Sequence, residues 1–245
     1  MVKGKPGSQA DEDQEAVVQE ALDRAKAVLD KCSTPNGIFA SPVVYNAIYA
    51  RDALIASLGG LLSGEERFVR QWLKTMDTLM DRQSPSGQIP NCVDTFDPAR
   101  NRLVAFGAAD ASLWFALMLG YAEKLIGPHP EFHEAADKAL IEHLSTGDRS
   151  SRIGLLSTLG IRKSPGSVFA VAALLTDRDL EIAEAAASAL GQIGTAEAAR
   201  AIQDQAGRIA ESLRPRLDDA LLACGENLAR QADTTKAAEI FKSLY

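Results

Sequence analysis

Arg51 and Asp52 stand together in a stretch, residues 45–62, that carries few charges. A cation beside an anion in an apolar segment reads as an ion pair, or as a donor and an acceptor for a polar ligand. Asn91 lies where a loop turn is expected. Asp110 precedes the helical run Ala-Ser-Leu-Trp, where a carboxylate caps free N–H groups. Trp114, inside that run, reads first as core. Other groups are less specific. His129 and His133 flank Glu131, but Pro130 disturbs a shared helix face and no second-shell pattern accompanies them, so no metal is expected. Asp94 and Asp97 are carboxylates of one loop, and nothing in the sequence makes them a catalytic pair. Cys32, Cys92 and Cys224 lack metal-ligand spacing; an odd count excludes a full disulfide framework and leaves reduced, partly buried thiols as the expectation. A Gly-rich phosphate loop, a Ser-His-Asp order and a CxxC pair are all missing, and no cofactor is expected.

The elements that must position these residues read as helices. Apolar positions recur at helical spacing from Glu15 to Lys31. Residues 45–62 predict a buried helix, 65–82 an amphipathic one and 110–126 a second buried one. Between them, residues 84–107 hold Pro85, Gly87, Pro90, Pro98 and Gly107 without sustained periodicity. A loop of that length is uncommon unless it has a function. Buried helices alternating with an amphipathic one suit a barrel of concentric helices.

Three stretches carry a family resemblance. Tyr45-Asn-Ala-Ile-Tyr-Ala-Arg-Asp-Ala-Leu-Ile-Ala-Ser-Leu-Gly-Gly-Leu61, Gly87-Gln-Ile-Pro-Asn91 and Ala109-Asp-Ala-Ser-Leu-Trp-Phe115 resemble, in order, motifs of the amylo-α-1,6-glucosidases, debranching six-hairpin glycosidases with an (α/α)6 toroid. The resemblance covers roughly residues 15–126. It implies a sugar pocket with Arg51 and Asp52 at its floor, Asn91 and Asp110 as further hydroxyl partners, and Trp114 or Tyr45 as a flat face for a pyranose ring. The chain departs from the family at Tyr49-Ala50, where a tryptophan and a small residue are usual. It departs more deeply beyond residue 127. Glycosidic cleavage needs two carboxyls flanking the bond, and in the resembled enzymes these come from later helices. Here the sequence changes character first, so the catalytic residues are unknown.

After Gly127-Pro-His-Pro130 aromatics nearly vanish and alanine dominates. Leu144, Asp148, Ser157, Leu159 and Gly160 recur as Leu175, Asp179, Ser188, Leu190 and Gly191, each displaced by 31 residues. Self-similarity at such a period marks a solenoid of helix pairs. In each copy an Asp precedes a helix and a Leu-Gly is expected to close it. Residues 174–194 resemble a short HEAT repeat of the lyase-associated kind. The arginine that braces neighbouring HEAT repeats is present as Arg152 in the first copy and replaced by Ala183 in the second, which predicts a less regular stack. Residues 214–245 read as a further helical hairpin capping the solenoid.

The fold class expected is therefore all-α: a disordered N-terminus (1–14), a partial (α/α) toroid-type array (15–127) and a short HEAT-like α-solenoid (131–245). The net charge of −7 disfavours nucleic acid and anionic membranes as partners. No segment approaches the ~20 apolar residues of a membrane span, and from Met1 onward no signal peptide is legible, so a cytoplasmic location is expected. Three functions are carried forward: a non-catalytic module binding α-glucan or oligosaccharide; a protein-interaction scaffold; and a debranching hydrolase completed by another chain or left as a gene fragment.

Overall fold

The computed structural model describes residues 9–97, 103–108 and 110–244. Eleven α-helices and five short strands occur among them, and helix is the dominant structure, as the periodicity predicts. The chain divides into two compact units. The first holds the described residues up to Gln83 and then Ile89–His129; the second holds Ser84–Gln88 and the residues from Pro130 on.

The first unit opens with α1 (Gln9–Cys32). Part of the expected disordered segment is thus helical from Gln9, while residues 1–8 lie outside the described set. A two-residue hairpin follows, β1 (Ser33–Thr34) with β2 (Gly37–Ile38). Gly37, at φ 126°, lies so close to Thr75 that a Cβ would meet its Oγ1 at 2.6 Å. The Thr75 hydroxyl accepts the Ile38 N–H at 3.0 Å, which satisfies both buried groups.

The helix expected over 45–62 begins later. Ile48–Tyr49 is strand β3, and α2 is Ala50–Leu62. Then come α3 (Glu66–Asp81), β4 (Cys92–Asp94), β5 (Leu103–Ala105) and α4 (Ala111–Ile126). The three strands form one antiparallel sheet in the order β3-β4-β5. Part of what reads as loop over 84–107 is therefore paired strand. Strands of two or three residues are too short to show an alternation in sequence.

The core of this unit is large and aromatic. Helix α2 packs against both α3 and α4, and the buried side chains are Phe68, Trp72, Met76 and Leu79 of α3, Leu54 and Leu61 of α2, and Phe115, Met118 and Leu119 of α4. Trp72 is the buried tryptophan, its ring 5.0 Å edge-on from His129, whereas Trp114 is half-buried. One face of α4 stays exposed: Leu113, Leu117, Tyr121 and Leu125 recur every fourth residue along it.

The second unit is a stack of helix pairs: α5 (His133–Thr146) with α6 (Arg149–Ile161), the short α7 (Val168–Ala173) with α8 (Leu180–Ile193), α9 (Ala196–Gln205) with α10 (Arg214–Arg230), then α11 (Thr234–Ser243) against α10. Helices α6, α8 and α10 are consecutive neighbours in one layer. The expected caps form: Asp148 accepts the Ser151 N–H at 2.8 Å, and Asp179 the Glu181 N–H at 3.0 Å. The Leu-Gly pairs stand in the last turns of α6 and α8, so the helices end close to where expected, although neither Gly160 nor Gly191 is itself the capping residue. A Cβ on either would stand 3.0 Å from the Cα of Ala189 or Ala220 in the next helix of the layer. These glycines let neighbouring helices approach at the backbone, and the period of 31 repeats that contact. The left-handed residues that end the helices are Lys163 (φ 52°) and Gly194 (φ 68°).

Bracing follows the arginine pattern. Arg152 reaches Asp177 of the next repeat at 2.7 Å, and Arg149 binds Asp179 and Glu181, each at 2.6 Å. At the next interface Ala183 stands in the place of Arg152, and no such ion pair occurs there among the described residues. There Asn227 donates to the Gly194 carbonyl at 2.9 Å and the Cys224 thiol to the Leu190 carbonyl at 3.6 Å. Burial pushes the Cys224 thiol up to about 12, so it is an inert packing group. All three cysteines are buried and none is in a disulfide.

Candidate functional site

The three-stranded sheet gathers most of the polar residues singled out at the front. Asn91 extends the ladder beyond Cys92: its N–H donates to the Ala105 carbonyl at 2.7 Å, and its carbonyl accepts the Ala50 N–H at 2.9 Å. Arg51, one residue past that bond, is the second residue of α2. Asp110, beyond β5, immediately precedes α4. The sheet thus brings the starts of both helices together, and Arg51 Nη1 meets Asp110 Oδ2 at 2.9 Å.

The outcome differs from the expectations at two residues. Arg51 pairs with Asp110 and not with Asp52, because adjacent residues on a helix do not face each other. Asp110 makes no side-chain cap on α4; its carboxylate is turned to the guanidinium instead. Both partners are well exposed, at 56% and 40%, so the pair is screened.

Asp52 points elsewhere. It lines a cleft of about 480 Å³ between α1 and α2, with Leu22, Leu29, Ile38, Phe39 and Phe68 among its walls. That cleft is mostly apolar, a poor match to a ligand covered with hydroxyls. Tyr45 is exposed and stands edge-on to Tyr49 at 5.9 Å, so the two rings form no flat double platform. Loss of water raises the Tyr49 phenol, with the Cys92 thiol beside it adding to the shift. Of the six residues proposed to contact sugar, Arg51 and Asp110 meet directly, Asn91 joins them through the backbone ladder, and Asp52 belongs to a different cleft. Among the described residues no group of His, Cys, Asp and Glu could hold a metal ion, and no helix is long and apolar enough to cross a membrane.

A second site lies in the repeat unit and was not singled out in the sequence. Helices α6, α8 and α10 form the walls of a groove of about 450 Å³. Gly160 and Gly191 lie along it, with Ser188, Gln192 and Ala223 beside them. Lys163, Arg216, Arg230 and Asp219 supply its charges, and Ile161, 73% exposed, an apolar contact. One signal could have found it: Lys163 stands 31 residues before Gly194, so the period itself marks the lysine as the odd member of a pair. Arg216 and Arg230 carry no such mark, since they follow the last clear copy of the repeat.

No curated protein matches the chain, and no solved structure does. The helix pairs from within α5 to the first residue of α10, residues 138–214, match the family model for HEAT repeats, so this stretch is similar to HEAT repeats.

Proposed function

We propose that the protein is an interaction scaffold whose HEAT-type unit holds a partner protein in the groove across α6, α8 and α10. The observation that carries this is the groove itself. It runs across three successive helices of one layer, so its walls come from every repeat rather than from one loop. Stacked repeats form extended surfaces of this kind, suited to binding another chain. The front unit offers less support for the glucan-binding reading. Its defining charges do not converge in one cleft: Arg51 is paired with Asp110, and Asp52 lines an apolar cleft of its own.

The test is site-specific photo-crosslinking in the full chain. A crosslinker at Ser188, in the groove, should capture a discrete partner. The same group at Glu197, an exposed position on α9, should not. Equal capture at both positions, or none at Ser188, would overturn the reading.

A further inference from the structure

The groove carries a charge opposite to that of the chain. The protein has a net charge of −7. The groove is lined by three cations, Lys163, Arg216 and Arg230, against the single anion Asp219. Other basic residues of the first repeat are neutralised within the fold: Arg149 by Asp179 and Glu181, Arg152 by Asp177, Arg162 by Asp137. Among the described residues the three groove cations form no such pair.

Lys163 adds an independent observation. It adopts φ 52°, a conformation that glycine enters freely and that a side chain resists. The second copy of the repeat solves the same turn with Gly194, at φ 68°. The turn therefore needs no side chain. A Cβ on Gly194 would collide with Asn227 at 2.9 Å, whereas the Lys163 side chain is exposed at the groove. What lysine adds over glycine here is an ammonium group at the groove wall, and it is held there against the backbone preference. Observed strain of this kind points to function.

We propose that the groove docks an extended acidic segment of a partner protein, its carboxylates on Lys163, Arg216 and Arg230 and an apolar side chain against Ile161. This rests on the scaffold reading above and gives it a partner chemistry. A nucleic acid fits less well. It would bring a long run of phosphates to a chain whose overall charge repels it, and only three cations would meet them.

The probe is a short fluorescein-labelled peptide of Asp and Glu with a central Leu, titrated against the full chain by fluorescence anisotropy. Binding should weaken with added salt, and about tenfold or more in Arg216→Glu/Arg230→Glu, because like charges at an interface are strongly unfavourable. Lys163→Gly should also weaken binding while melting no lower than the parent, which separates a lost contact from a lost fold. Three results would overturn the proposal: no binding of the peptide, binding indifferent to the double charge reversal, or tighter binding of a single-stranded oligonucleotide than of the peptide. The Ser188 crosslinker separates the two levels of the argument. Equal partner capture by the parent and the double variant keeps the scaffold and removes the acidic partner; no capture by either removes both.

Discussion

The two units reach a packed helical core by different means. In the first, α2 packs against α3 and α4, and large aromatic side chains, Trp72 and Phe68 of α3 and Phe115 of α4, are fully buried. In the second, α6, α8 and α10 come close at Gly160 and Gly191, where the next helix presents Ala189 and Ala220. One core depends on volume and the other on its absence. A core of the first kind is broken by taking atoms away, and one of the second kind by adding them. The same contrast extends to function. The first unit turns its notable charges onto each other, as in Arg51 and Asp110. The second neutralises Arg149 and Arg152 but leaves the groove cations open.

The largest expected effect belongs to the aromatic core. Trp72→Ala should cost about 3–5 kcal/mol of stability, as a large buried aromatic truncated to alanine does. Chemical denaturation gives the magnitude. Hydrogen exchange should place the loss in α2, α3 and α4. A loss of under 1 kcal/mol would mean that this core closes over the gap, and the contrast with the repeat unit would fail.

The opposite substitution tests the opposite core. Gly191→Val should cost up to about 3 kcal/mol, because its Cβ meets the Ala220 backbone and neither helix can yield without moving the stack. Gly154→Ala is the control. It lies in the middle of α6, where a Cβ meets nothing within 4 Å, and should raise stability by about 0.5–1 kcal/mol. If both variants melt alike, the close approach of α8 and α10 is not what the repeated glycine maintains.

What was legible in the sequence divides along the same line. A repeat writes each contact twice, so the Asp caps and the helix pairs could be read from one period of 31. The packing role of the repeated Gly is not legible there, because a glycine near the end of a helical pattern suggests a stop, and only the neighbouring Ala189 and Ala220 reveal a contact. In the first unit the helices followed from apolar spacing, whereas the sheet did not. Its strands are two or three residues long, and their partners lie far apart in sequence. Without the sheet, the meeting of Arg51 with Asp110 could not be foreseen, and an N-cap was the natural reading of Asp110. The groove was hidden for a different reason: its residues come from three repeats, and no local pattern joins Lys163 to Arg216 and Arg230.

The two ion pairs give the next contrast. Arg152 and Asp177 are largely shielded from water, and Arg152→Ala should cost about 1–3 kcal/mol at neutral pH by removing the carboxylate's charged partner and leaving it the Asp179 N–H. The Asp177 carboxyl is held below its usual range, first by the Asp179 N–H and then by Arg152. A lowered folded pKa gives stability that is complete above the ordinary carboxyl range and is lost as pH falls through it. The gap between variant and parent should therefore narrow below about pH 4 in acid denaturation. Arg51→Ala, at the exposed pair, should change stability by less than about 1 kcal/mol at any pH. Malto- and isomalto-oligosaccharides should leave the melting temperature of the parent unchanged. A rise that Arg51→Ala or Asp52→Ala abolishes would restore the sugar site and reverse the functional contrast between the units.

The smallest expected effect has the most unusual sign. Lys163→Gly removes a side chain from a left-handed residue, where the steric cost to a non-glycine is about 1–2 kcal/mol. Glycine also adds freedom to the unfolded chain, about 0.5–1 kcal/mol in the other direction. The net expectation is a gain between zero and about 1 kcal/mol, read as a small rise in the melting temperature. Ala232, at φ 64° past α10, supplies the comparison. It lacks a charged group, so Ala232→Gly should shift stability similarly and leave peptide binding untouched. If Lys163→Gly instead lowers stability, the lysine side chain is part of the packing of the first repeat. Its place at the groove would then follow from the fold and not from a ligand.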